Sequence, residues 1–185
     1  MITNTKKGLG GISITGRARE DLDYYATHPE ALSLLEYEDF ENVWECACGE
    51  GHLAKELDNR GKLGKASDIY DRGYGEVEDF LYFNKQWSGD ILTNPPFMFF
   101  IEFVIQGMNT LLEGNKLALL VPQRYLSGQT RRKIFLRYPP YKIYPFTKRI
   151  RCGKNGEFTK SNLVDYMWVI WKQGYIEQTI IDWSL

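Results

Sequence analysis

The chain has 185 residues, 43% of them hydrophobic and 15% aromatic, with a formal net charge of −1. That is enough for one well-cored domain and too little for two sizeable ones, and it excludes an intrinsically disordered chain. No apolar run approaches the roughly 20 residues of a bilayer span, so a membrane-spanning helix is excluded as well.

The opening residues, MITNTKKGLGGIS, are polar and glycine-rich and lack the apolar core of a signal peptide, so residues 1–18 are expected to be flexible. A helical segment is predicted around Asp21–Tyr37. VWECAC (43–48) then reads as a short buried strand, followed by HLAKELDNRG, whose apolar Leu53 and Leu57 and terminal Gly61 mark a helix with its C-terminal glycine. KASDI (65–69) reads as a second strand, EDFLYF (78–83) as a third and DILT (90–93) as a fourth. Met98 to Leu112 has helical length, KLALLV (116–121) is a fully buried strand, and QTRRKIFLRY (129–138) is a basic amphipathic helix. KIYPF (142–146) and VDYMWVIWK (164–172) are β-rich with no helix between them, which predicts an antiparallel hairpin at one edge. Strands alternating with helices imply a three-layer α/β fold, a Rossmann-like sheet that is mostly parallel.

Three cysteines, Cys46, Cys48 and Cys152, with only two histidines, supply neither a disulfide framework nor a zinc site. Cys46 and Cys48 would share one face of their strand, and all three read as small buried thiols of a reducing, cytoplasmic compartment; no metal is expected. Charge is unevenly distributed. From Glu20 to Asp58 the only basic residue is Lys55, whereas from Arg124 to Lys160 the only acid is Glu157. The basic half reads either as a solvated face or as a surface for a polyanion.

Gly49-Glu50-Gly51-His52-Leu53-Ala54 is a G-x-G-x-x-A turn between a strand and a helix, with Asp68 nineteen residues on at the end of the next strand. Glycines there allow a tight turn and close approach of a nucleotide, and the acid is placed for a ribose. The pattern serves nicotinamide dinucleotides and S-adenosylmethionine alike. Glu45, just before the turn, favours a cofactor with an ammonium group over one with a pyrophosphate.

Taken together, WECACGEGHLA (44–54), SDI (67–69), EDFL (78–81) and DILTNPPF (90–97) resemble the class I S-adenosylmethionine-dependent methyltransferases. More narrowly they resemble the DNA adenine-N6 methyltransferases, whose signature is (Asp/Asn/Ser)-Pro-Pro-(Tyr/Phe/Trp) at the end of the fourth strand. DYYATHPEAL (23–32) is similar to that family's Thr-Pro segment near the cofactor's methionine end, with His28 inserted between Thr27 and Pro29. The resemblance implies S-adenosylmethionine as cofactor, held by Thr27, Glu45, Cys48, Gly49, Gly51, Asp68, Ile69, Asp79 and Phe80. It implies catalysis by Asn94, Pro95, Pro96 and Phe97. The Asn94 side-chain oxygen and the Pro95 carbonyl would accept the two protons of a substrate amine, with Phe97 stacked on the base. Prolines fix φ and restrict the preceding residue, so the acceptors are aimed by the chain itself. This is positioning and electrostatics rather than general-base catalysis.

No separate target-recognition domain is expected, and residues 1–185 read as a single methyltransferase domain. The basic stretches 123–138 and 147–162 are the expected nucleic-acid surface, through Arg124, Arg131, Arg132, Arg149, Arg151 and Lys154. The substrate expected is adenine in nucleic acid, DNA before RNA. RNA adenine, a protein glutamine amide and a non-catalytic nucleic-acid-binding role are the alternatives. A compact enzyme of this kind would suit a phage or mobile element.

Overall fold

The computed structural model describes residues 25–154, 158 and 164–185. Eight strands form the main sheet: β2 (Val43–Glu45), β3 (Leu63–Asp68), β4 (Glu76–Val77), β5 (Ile91–Thr93), β6 (Lys116–Pro122), β7 (Lys142–Pro145), β9 (Tyr166–Lys172) and β10 (Ile180–Ile181). Their spatial order is β10-β7-β9-β6-β5-β2-β3-β4. Every neighbouring pair is parallel except those made by β9, which runs antiparallel to both β6 and β7. A separate two-stranded ribbon pairs β1 (Tyr25–Thr27) with β8 (Cys152–Lys154), Thr27 lying opposite Cys152.

The sheet is buried on both faces, and the two-residue period of its strands divides the core in two. On one face Leu117, Leu119, Val121, Met167, Val169 and Trp171 pack with Trp44, Phe80 and the apolar side of α2 (Phe100–Thr110). Ile134 of α3 (Gln129–Arg137) joins them. On the other, Ala118, Leu120, Trp168 and Ile170 pack with Val43, with Leu53 and Leu57 of α1 (His52–Asn59), and with Leu32 and Leu34 of a 3-10 helix at Pro29–Glu36. Helical layers on both faces give the three-layer sandwich expected from the alternating pattern. At the amino ends of β6 and β7, buried Glu38 accepts from Lys116 Nζ at 3.2 Å, Lys142 Nζ at 2.6 Å and the Tyr144 hydroxyl at 2.9 Å. This satisfied ionic cluster fixes the end of the sheet opposite the glycine turn.

Several elements differ from the sequence reading. The helix placed at Asp21–Tyr37 is a strand followed by a 3-10 helix: Tyr25–Thr27 is drawn into the ribbon with β8, and Pro29 starts a new helix behind His28. Residues 21–24 of that segment lie outside the described residues. The strand VWECAC ends at Glu45, so Cys46 and Cys48 occupy a turn rather than one strand face. EDFLYF is not a strand: the Asp79 carboxylate accepts from Leu81 N at 3.0 Å and starts a 3-10 turn over Phe80–Tyr82. The neighbouring strand is the two-residue β4 instead. The predicted final hairpin exists as β7 and β9, but β9 inserts between β6 and β7, and β10 takes the edge.

Candidate active site

The carboxyl ends of β2, β3 and β5 converge with β1 around a cavity of about 360 Å³, of the size that holds a small molecule. Thr27, Glu45, Cys48, Asp68, Ile69, Asp79, Phe80, Asn94 and Pro96 all line it. A set of side chains scattered over the sequence is thus gathered at one place by the order of the strands.

The glycine turn joins Cys48 to His52, both of which line the cavity, while Gly49 and Gly51 themselves do not. Gly49 and Gly51 have φ of 55° and 81°, the left-handed region that glycine enters without strain. At Gly51 a Cβ would also lie 2.3 Å from Tyr74 Cδ1, so the Tyr74 ring leaves room only for hydrogen. Gly49 N donates to Asp68 Oδ2 at 2.8 Å and Cys48 N to Ser67 O at 2.9 Å, tying the turn to the end of β3. Asp68 Oδ1 accepts from Tyr70 N at 3.1 Å. A carboxylate has about four acceptor positions, so a carboxylate anchored by two backbone donors can still accept from a pair of hydroxyls.

Glu45 is 2% exposed. Its Oε1 accepts from Thr93 Oγ1 at 3.1 Å, while Oε2 is buried with no hydrogen-bond partner among the described residues. Burial, with the nearby Asp68 charge, pushes its carboxyl up to about 8. A cation entering the cavity would meet a carboxyl group lacking half of its partners. Burial raises the Cys48 thiol to about 12, so no reactive thiolate is available there at neutral pH. The three cysteines are buried, and none forms a disulfide among the described residues.

At the far side, β5 is followed by Asn94, whose Nδ2 donates to Thr27 Oγ1 at 2.8 Å. Pro95 is buried, and Pro96 O accepts from Phe99 N at 2.9 Å, closing a 3-10 turn that leads into α2. Phe97 does not line the cavity. Its ring is half-buried against Tyr125 and Tyr166, with centroids 5.8 and 6.2 Å away, and its carbonyl accepts from Tyr125 OH at 3.1 Å. Met98, Phe99 and Tyr82 form this wall instead, with Met98 60% and Tyr82 75% exposed. Sequence reasoning missed these three and Arg72, which also lines the cavity. Met98 and Phe99 directly follow the Asn-Pro-Pro-Phe run, which is the signal that could have found them.

The basic residues divide. Arg124 and Arg131 lie over the Tyr125 ring at 5.8 and 4.6 Å, one residue contact from Phe97. Arg132 borders a separate groove with Leu136, Ile143 and Ile181. Arg149 Nε pairs with Asp165 at 3.0 Å, and Arg151 Nη2 pairs with Glu30 at 3.3 Å and meets His28 Nε2 at 3.0 Å. Lys154 lies on β8, its side chain outside the described residues, as are most of residues 155–163. Among the described residues no three His, Cys, Asp or Glu side chains gather to hold a metal ion, and no helix is long and apolar enough to cross a membrane.

No family model matches the sequence, and no curated protein matches it. Solved structures do resemble the fold. A protein from Listeria monocytogenes, provisionally assigned as a class I S-adenosylmethionine-dependent methyltransferase, superposes with a TM-score of 0.55 at 14% identity, over 85% of this chain and 63% of that one. A modification subunit of a provisionally assigned type I restriction enzyme from Vibrio vulnificus gives 0.56 at 15% identity, over 87% and 46%. A provisionally assigned RNA methyltransferase from Pyrococcus horikoshii gives 0.54 at 14% identity, over 78% and 81%. The fold is therefore the Rossmann-like fold of class I methyltransferases, and the chain spans less than two thirds of the length of the first two neighbours.

Proposed function

We propose that this chain is an S-adenosylmethionine-dependent methyltransferase acting on the exocyclic amine of adenine in nucleic acid, DNA in preference to RNA. The observation that carries this reading is the convergence, in one cavity, of a buried carboxyl group with an unfilled acceptor, Glu45, and an anchored amide, Asn94. The first suits a cationic amino-acid moiety and the second a neutral amine. Bound there, the cofactor supplies an electrophilic methyl group.

Each residue has a distinct task. Glu45 Oε2 takes the cofactor ammonium, Asp68 its ribose hydroxyls, and the exposed Ile69 with Phe80 and Asp79 the adenine. An adenine amine is a poor nucleophile because its lone pair is delocalised into the ring. Asn94 Oδ1 and the Pro95 carbonyl accept hydrogen bonds from its two N–H groups, which favours a pyramidal nitrogen with its lone pair toward the methyl group. That is preorganised electrostatics, with no proton removed before transfer; S-adenosylhomocysteine would leave as the neutral thioether and the methylated, cationic amine would then lose one proton to solvent. A flipped base needs an apolar face beside this point, and the exposed Tyr82 and Met98 on the cavity wall offer one more openly than Phe97.

The resemblance to DNA adenine methyltransferases and the type I modification-subunit neighbour support DNA, and the RNA methyltransferase neighbour makes RNA the arm to compare. Arg124 and Arg131, grouped on Tyr125 beside the Asn94 loop, are the phosphate contacts that the site itself favours. The test is transfer of labelled methyl groups to double-stranded DNA, single-stranded DNA, RNA and extract protein in parallel. Labelled N6-methyladenine in DNA is expected. Label found in RNA, in protein glutamine, or nowhere despite cofactor binding would each overturn the substrate assignment.

A further inference from the structure

Thr27 lies on β1, sixty-seven residues before Asn94, and is 3% exposed, yet its hydroxyl is the partner of the Asn94 amide. A side-chain amide is ambiguous as a catalytic group. It presents an acceptor or a donor depending on which way it is turned, and a donor aimed at a substrate amine would repel it. Thr27 Oγ1 takes the Nδ2 donor at 2.8 Å, and the planarity of the amide then places Oδ1 on the side away from Thr27.

Thr27 pairs with Cys152 across the β1–β8 ribbon, which seats its hydroxyl at the end of β5 beside Asn94. In that pairing the Thr27 hydroxyl oxygen accepts from the amide nitrogen through a lone pair. With its nitrogen engaged in this way, the Asn94 amide presents its oxygen as the remaining acceptor.

We infer that Thr27 is a positioning residue for methyl transfer, whose hydroxyl locks the Asn94 amide with its oxygen toward the substrate amine. This rests on the methyltransferase reading of the site and gives Thr27 a task other than holding the cofactor. It also explains why a short strand from the start of the described chain is brought to the end of β5.

The inference separates from a structural role because an aspartate at position 94 has two equivalent acceptor oxygens and needs no orienting donor. Thr27→Val and Thr27→Ser are made in the Asn94 protein and in the Asn94→Asp background. Single-turnover transfer, S-adenosylhomocysteine affinity and melting temperature are measured for each. Thr27→Val is expected to lower single-turnover transfer by about 10- to 100-fold with Asn94 present. Its effect in the Asn94→Asp background is expected to stay under about threefold, with cofactor affinity nearly unchanged in both. Thr27→Ser, which keeps the hydroxyl, restores most of the rate.

Equal losses in the two backgrounds, or a loss matched by weaker cofactor binding, would overturn the positioning role while leaving the methyltransferase reading intact. If Thr27→Val melts too low to assay, the comparison passes to Thr27→Ser and Thr27→Ala, and equal effects on both backgrounds again overturn it. A native protein that binds the cofactor and methylates no amine would remove the reading itself, and this inference with it.

Discussion

If Glu45 takes the cofactor ammonium as proposed, it ties cofactor binding to pH. Its carboxyl is raised from 4.5 to about 8 by burial and by the charge of Asp68, so near neutral pH the unliganded protein holds a proton there. A cofactor ammonium requires the ionised form, and binding must release that proton. Below pH 8 the dissociation constant should therefore fall about tenfold for each pH unit gained. At pH 6 only about 1% of the protein is ionised at Glu45, a handicap of about 3 kcal/mol relative to the fully ionised site. The assay is calorimetric titration with S-adenosylhomocysteine between about pH 6 and 7.5, below the range where an α-amino group loses its own charge. Repeating it in buffers of different ionisation enthalpy counts the proton, and close to one should be released. Stability carries the opposite sign. Because the folded pKa lies above the unfolded one, stability in the absence of cofactor is fully present below about 4.5 and is lost as pH rises toward 8. Glu45→Gln should flatten both slopes. An affinity independent of pH, with no proton released, would refute the placement of the ammonium at Glu45.

Other perturbations address the rest of the site. Asn94→Ala should cut transfer by about 10²–10³-fold in single-turnover assays with cofactor affinity nearly intact, whereas Asp68→Ala should weaken cofactor binding first, by at least about tenfold in calorimetry. Gly51→Ala forces a side chain into the left-handed region and against Tyr74, and should lower stability by about 1–2 kcal/mol or more in chemical denaturation. Replacing Arg131 or Arg124 by Gln should reduce the salt slope of DNA binding by about one each, while Arg149→Gln, already neutralised by Asp165, should change it less. Fluorescence-based binding at several salt concentrations reads this directly.

The parallel core and the gathering of residues at the ends of β2 and β3 were legible in the sequence because their signals are local. Buried runs such as KLALLV, the glycines after β2 and the acid at the end of β3 each declare themselves within a few residues. Partnerships between distant segments were not legible. The three residues of β1 carry no strand signature of their own and become a strand only by pairing with β8. β9 could be read as a strand but not as one inserted between β6 and β7, since order in a sheet is a tertiary property. The same holds for charge: Arg149 and Arg151 stand in a basic stretch of sequence, yet Asp165 and Glu30 lie beside them in space. Phe97 sits in the expected motif, but Tyr125 and Tyr166 claim its ring.

The β1–β8 ribbon also bears on the order in which this protein becomes competent. The part of the cavity that carries Glu45 and Asp68 comes from β2, the turn after it and β3, a stretch of chain that can close early because its contacts are short in sequence. The hydroxyl that sets Asn94 arrives only when residues 27 and 152 meet, one of the longest loop closures in the described chain. Long closures of this kind come late. Refolding from denaturant should therefore regain cofactor binding before it regains turnover, and the lag between the two times the docking of a three-residue strand.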